Sequence, residues 1–249
     1  SEPRTLRNTE RKSYSTSSDH CTMFLAGDIA EKMKIGGNHH PGQQANLYIY
    51  GMPVKRTIPF SFGTFFITFT CSKWLPLIDK INGYDIIYAW FNHLKTKRHY
   101  INGYVIMPNH FHVIISFVAT GQSINTIVGN GKRFMAYEIV NRLEKNGEME
   151  LLQLLKKNVE AKRKENKKLH NVWELSFDWK ECRGWEFTNQ KLDYIHTNPC
   201  SKKWDLCRNP GEYPHSSAKY YLTGEQGVYP VTSVMKMEDV DFLNAGIVP

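Results

Sequence analysis

Two histidines separated by one bulky apolar residue stand out at His110-Phe111-His112, inside the run Met107-Pro108-Asn109-His110-Phe111-His112-Val113-Ile114-Ile115. In a β-strand, residues i and i+2 point to the same face. The two imidazoles are therefore expected side by side, with Phe111 entering the opposite face. Paired neutral imidazoles are good ligands for a divalent cation. With only two protein nitrogens, such a site keeps open positions, as catalytic metals require and structural zinc does not. On the spacing alone, ordinary exposed or hydrogen-bonded strand histidines are the stronger reading.

A second stretch, Lys191-Leu192-Asp193-Tyr194-Ile195-His196-Thr197-Asn198-Pro199, has helical spacing. On a helix, Tyr194 and Asn198 share one face at i and i+4, so a phenol and an amide oxygen point the same way. A phenol is a weak nucleophile at its usual pKa near 10. It needs a general base, or a metal that draws charge from the phosphate under attack. The amide oxygen suits a hard cation. The opposing reading is structural: Tyr194 packs on a sheet and Asn198 caps the helix. His196 points elsewhere on the helix and is a secondary candidate for proton transfer or for support of the site.

These residues need a scaffold. Thr64–Thr70 is a β-branched and aromatic run that reads as a strand. Tyr84–Lys97 carries Ile86, Ile87, Trp90, Phe91 and Leu94 at helical spacing. Tyr100–Met107 and Asn109–Phe117 read as two strands broken at Pro108. Gln122–Leu143 reads as a helix, although Gly129 and Gly131 each weaken it by about 1 kcal/mol. Met149–Leu169 reads as a further helix, Val172–Phe177 as a strand and Gln190–Thr197 as a short helix that Asn198-Pro199 stops. The order predicts an α+β fold, a ferredoxin-like split βαβ with an antiparallel sheet and helices packed on one face.

Residues 1–57 form a polar appendage rich in Ser, Thr, Asn and Gly, with loop or disorder signals and a short helix around Met23–Met33. Residues 58–225 form the folded domain, with a helical insert at about 147–170. Residues 226–249 form a tail, and the whole chain beyond Cys200 is expected to wrap the surface.

The 249 residues carry 32 Lys and Arg against 24 Asp and Glu, a formal charge of +8 that favours a polyanionic partner. The five cysteines, Cys21, Cys71, Cys182, Cys200 and Cys207, include no CxxC pair, which argues against a zinc ribbon or a thioredoxin-like site. They read as reduced and incidental. No leader-like apolar stretch opens the sequence and no run has the length of a membrane span. The expectation is a cytoplasmic protein with no membrane partner.

The three segments Met107–Val113, Tyr194–Pro199 and Ser216-Ser217-Ala218-Lys219-Tyr220-Tyr221, in this order, resemble the REP-associated tyrosine transposases and related single-tyrosine HUH transposases. The likeness runs from about Phe65 to Tyr221. It implies that Tyr194 attacks a DNA phosphodiester and becomes joined to the 5′ phosphate. It further implies that His110 and His112 hold Mg²⁺ or Mn²⁺, with Asn198 at the third ligand position. Single-stranded, hairpin-bearing DNA would be the substrate, and the protein would act as a monomer or a homodimer. The chain departs from the pattern at Cys200, where many members carry Val, and in its appendage and insert. None of these departures removes a candidate catalytic residue.

Lys132 and Arg133, with Lys162, Arg163, Lys164, Lys167 and Lys168 of the insert, are candidates for phosphate contact. Lys132 and Arg133 are favoured because their helix is expected to pack close to the active site. The insert fits a solvated helix face equally well. Trp204 and Tyr213 could stack on bases, with packing the stronger expectation. Two other functions compete: a non-catalytic nucleic-acid-binding module derived from a transposase, and a metal hydrolase using water. The absence of a carboxylate at HxxE spacing from His112 weighs against the hydrolase.

Overall fold

A computed structural model of the chain describes residues 57–157, 159, 169–174 and 177–244. The expectations for the appendage, and for the insert between residues 160 and 168, lie outside the described residues. Four strands make one sheet: β1 (Gly63–Thr70), β2 (Tyr100–Met107), β3 (His110–Phe117) and β4 (Asp178–Glu181), in the order β2-β3-β1-β4 with every neighbouring pair antiparallel. β1 and β2 flank β3, which is the split βαβ arrangement within an α+β fold.

The alternation of each strand divides its side chains between two faces. Phe65, Ile67 and Phe69 of β1 and Phe111, Val113, Ile115 and Phe117 of β3 meet helix α2 (Tyr84–Thr96) and helix α3 (Ile124–Lys145). Phe69 and Phe111 stack with ring centroids 4.4 Å apart. Trp90 and Phe91 of α2 are almost wholly buried in the same layer. Burying a side chain of Phe size contributes roughly 1.5–3 kcal/mol, so this layer carries much of the stability. Before α2 comes the one-turn helix α1 (Leu77–Lys80), and after α3 comes α4 (Met149–Lys157).

The other face holds Phe66, Val105, Met107 and Ile114, and it is covered by Leu192 and Ile195 of α5 (Trp185–Thr197). The two long helices thus pack on one face, and the tyrosine-bearing helix packs on the other. β3 is buried on both sides, which explains its nearly continuous apolar sequence. Gly103 leaves room for this packing, because a Cβ there would lie 2.6 Å from Leu192 Cδ2.

Three local expectations are corrected. The described part of the expected strand 172–177 shows no strand: Trp173 makes an isolated bridge to Cys71, and the fourth strand is Asp178–Glu181. The backbone turns left-handed at Lys73 (φ 52°) and Trp74 (φ 58°), so β1 offers no straight partner beyond Cys71. Helix α5 begins at Trp185 rather than Gln190, because its first turn is mostly exposed and shows no apolar period. Asn198-Pro199 ends the α-helix at Thr197, as expected, and the chain continues as a short 3₁₀ turn, Asn198–Cys200.

The segment beyond Cys200 is built into the fold rather than wrapped around it. The Ile106 N–H donates to His215 O at 2.8 Å and the Ser217 N–H to Tyr104 O at 2.9 Å, satisfying the outer edge of β2. Ser216 and Ser217 are buried there, just before helix α6 (Ala218–Thr223). Tyr229, from the expected tail, stacks on Tyr88 at 5.4 Å and is buried. Among the described residues, no helix is long and apolar enough to cross a membrane.

Candidate active site

His110 and His112 leave β3 toward α5, while Phe111 enters the opposite core, as the alternation requires. Their ring centroids are 4.9 Å apart with planes at 79°. Each imidazole is held through Nδ1. Thr68, which faces His112 across the β1–β3 ladder, places Oγ1 2.8 Å from His112 Nδ1. Asn109 Oδ1 lies 2.7 Å from His110 Nδ1.

The amide orientation of Asn109 is fixed independently, because its Nδ2 donates to Trp74 O at 2.9 Å. Asn109 Oδ1 can only accept, so His110 carries its proton on Nδ1 and leaves the Nε2 lone pair open. His112 Nε2 is buried and has no hydrogen-bond partner. Such an orphan costs about 1–3 kcal/mol unless something binds it.

Both imidazoles are held neutral. Burial, reinforced by the charge of Lys203, pushes His110 down to about 4. Burial, then His110 and Lys191, holds His112 well below the ordinary histidine range. A neutral imidazole with its Nδ1 fixed and its Nε2 open is the form that ligates a cation. Among the described residues, no group of three or more His, Cys, Asp and Glu side chains could hold a metal.

Tyr194 reaches the pair from α5. Its ring stands edge-on to His112 with centroids 5.1 Å apart, and edge-on to Phe66 at 6.1 Å. Phe66 in turn stacks flat on His112 at 5.4 Å, so one aromatic ring braces both the imidazole and the phenol. Tyr194 remains 43% exposed, open to a substrate from solvent. One turn earlier on the same helix, Lys191 holds its Nζ 5.5 Å from the Phe66 ring that braces the phenol.

No protein-family model matches this sequence, and no curated protein matches it. Among solved structures, a REP-associated tyrosine transposase bound to a REP hairpin aligns with 77% of this chain and 95% of its own, at 18% identity and a TM-score of 0.49.

The other sequence candidates fall in several places. Asn198 lies one turn beyond Tyr194, half-buried, and its side chain makes no hydrogen bond to either imidazole among the described residues. His196 is buried on the inner side of α5, with Nε2 2.9 Å from Ser217 Oγ, so it ties the helix to β2 rather than facing the pair.

Contrary to the expectation from the sequence, Lys132 and Arg133 do not lie close to the pair: their helix packs on the far face of the sheet. Lys132 Nζ donates to Glu174 O at 2.8 Å, and Arg133 lines a cleft of about 600 Å³ between α2 and α3. Lys162, Arg163, Lys164, Lys167 and Lys168 lie outside the described residues. Tyr213 is buried, its hydroxyl donating to Ile106 O at 2.8 Å, whereas Trp204 packs against His110 at 5.3 Å. Cys200 and Cys207 are not incidental to each other: their sulfurs face at 3.0 Å as free thiols.

The sequence reading missed Thr68, Phe66, Lys191 and the bracing role of Asn109. Asn109 adjoins His110 and could have been weighed. Thr68 and Phe66 depend on the β1–β3 register, which no local pattern encodes.

Proposed function

We propose that this chain is a metal-dependent nickase and strand transferase of single-stranded DNA, acting through a covalent tyrosine intermediate. The observation that carries the reading is the Tyr194 ring set 5.1 Å from His112, beside two imidazoles that burial holds neutral. The orphaned His112 Nε2 adds support, since a cation would satisfy it.

His110 and His112 would hold Mg²⁺ or Mn²⁺, with Asn198 as a third ligand. The cation would supply Lewis-acid polarisation of the scissile phosphoryl group. Tyr194 Oη attacks phosphorus; the Oη–P bond forms and the P–O3′ bond breaks. The phenol proton passes to solvent and the departing 3′ oxygen takes up a proton as a hydroxyl. The phosphotyrosine keeps the bond energy, so a second 3′ hydroxyl can reverse the step and join strands without a nucleotide cofactor.

Lys191 is placed to pair with a phosphate close to Tyr194. Lys132 and Arg133 remain candidates for contact with a more distant part of a hairpin-bearing strand. The net charge of +8 favours such a partner.

The test is denaturing electrophoresis after incubation with hairpin-bearing single-stranded oligonucleotides and Mn²⁺. A protein–DNA adduct is expected with the wild type, and none with Tyr194→Phe or after chelation. An adduct that persists in Tyr194→Phe removes the nucleophile. DNA binding without any adduct, unchanged by chelation, favours a non-catalytic binding module instead.

A further inference from the structure

Two tryptophans from separate loops converge on His110. Trp74 ends the turn after β1 and lies 5.5 Å from the His110 ring; Trp204 follows α5 and lies 5.3 Å from it. Between the indoles stands Lys203, with its Nζ 4.9 Å from the Trp74 ring and 5.3 Å from the Trp204 ring. Trp74 is 47% exposed, so part of its ring is accessible to a ligand.

The backbone presenting these rings is costly. Lys73 (φ 52°), Trp74 (φ 58°) and Asp205 (φ 46°) are all left-handed without being glycine, at roughly 1–2 kcal/mol each. Strain of this kind persists only where surrounding bonds hold it. Here the Lys73 N–H donates to Glu174 Oε1 at 2.7 Å, and Asn109 Nδ2 donates to Trp74 O at 2.9 Å. The Oδ1 of the same Asn109 holds His110 at 2.7 Å. One buried amide thus ties the backbone at Trp74 to the His110 imidazole.

We propose that Trp74 and Trp204 form a stacking slot for one unpaired nucleobase of the DNA strand, next to the phosphate at His110, with Lys203 occupying the slot until the base enters. The inference rests on the DNA-nicking reading of the site and names how the strand is gripped there. An ammonium and a nucleobase both favour an indole face. A base entering the slot releases the ammonium to the adjacent phosphate, so the lysine exchanges the two indoles for a phosphate of the same strand. Stacking tolerates any base, so the slot sets grip and register rather than sequence.

The experiment measures affinity by fluorescence anisotropy in EDTA, where no cleavage can occur. The probes are labelled oligothymidylate and an abasic deoxyribose-phosphate chain of equal length. The wild type is expected to prefer the thymidylate by about 5- to 160-fold, the span of one stacked base. Trp74→Ala and Trp204→Ala are each expected to lose most of that preference while binding the abasic chain as the wild type does. Trp74→Phe and Trp204→Phe should restore it.

Equal losses on both probes, or a wild type indifferent to the bases, would overturn the slot. Failure of the nicking reading looks different: base-dependent binding lost in the Trp variants, with no adduct from any protein, keeps the slot and removes the chemistry. An adduct formed by every Trp variant with unchanged base preference does the reverse.

Discussion

Thr68 and His112 face each other across β1 and β3, with the threonine hydroxyl 2.8 Å from Nδ1 and the opposite ring nitrogen buried without a partner. The bond sets how the imidazole is turned, and it leaves Nε2 directed away from the strand pair. Orienting partners of this kind are worth about 10–100-fold in metal affinity.

Thr68→Val keeps the shape and removes the hydroxyl. Mn²⁺ affinity, measured by titration calorimetry, is expected to fall by about 10-fold or more. Stability in urea should drop by about 1–3 kcal/mol, since Nδ1 loses its partner inside the protein. Unchanged Mn²⁺ affinity would show that the hydroxyl does not orient the ligand.

Gly129 and Gly131 sit two residues apart in α3 and should respond oppositely to alanine. A Cβ at Gly129 meets nothing within 4 Å, whereas one at Gly131 would stand 2.2 Å from Trp90 Nε1. Gly129→Ala should stabilise by about 0.5–1 kcal/mol through helix propensity. Gly131→Ala must displace a buried, rigid indole and should cost about 1–3 kcal/mol. Urea midpoints of the two variants moving in the same direction would contradict this packing.

That contrast marks what the sequence could convey. Propensity treats both glycines alike, because the Trp90 approach is a contact between α2 and α3. The strand and helix types were legible wherever one face was apolar and the period clear, as in β1, α2 and β3. The placement of His110 beside His112 followed from strand alternation alone. Tyr194 was picked out by resemblance, since nothing local separates it from twelve other tyrosines in a chain of 13. The side of the sheet taken by α3 was misjudged for Lys132 and Arg133, because an amphipathic pattern shows which residues are buried and not against which face. Residues 213–217 looked like surface loop because their bonds go to the β2 edge through backbone and hydroxyl groups, which leave no hydrophobic period.

Ser217 shows how that segment bears on the site. Its Oγ accepts from the Tyr104 N–H at 2.9 Å and lies 2.9 Å from His196 Nε2, joining β2 to the tyrosine helix. Ser217→Ala strands both groups inside the protein, at about 1–3 kcal/mol for each. Hydrogen exchange should quicken in α5 more than in α2 and α3, which pack on the other face. Uniform quickening across all three helices would mean that the serine supports the whole domain rather than the seating of α5.

Acid should weaken the fold before the carboxylates titrate. His99 is buried, and its Nδ1 accepts the Val118 N–H at 3.2 Å, a bond open only to the neutral ring. Burial, then the charge of His93, pushes its pKa down from 6.5 to about 4. Burial moves His110 and His196 down to about 4 as well. Between these values the unfolded chain binds protons that the folded chain refuses, so stability rises with pH. The contribution is complete above about pH 6.5 and is lost as the pH falls toward 4, at up to about 1.4 kcal/mol per pH unit for each histidine. Below that the loss levels off for these groups, since both states are then protonated. Urea midpoints taken from pH 7.5 downward should therefore decline through this window, and His99→Gln, whose amide oxygen can still accept the Val118 N–H, should flatten the slope by about one proton's worth. A wild-type stability that stays level from pH 6.5 to 4.5 would mean that these rings take up protons as readily in the folded protein as in the unfolded chain.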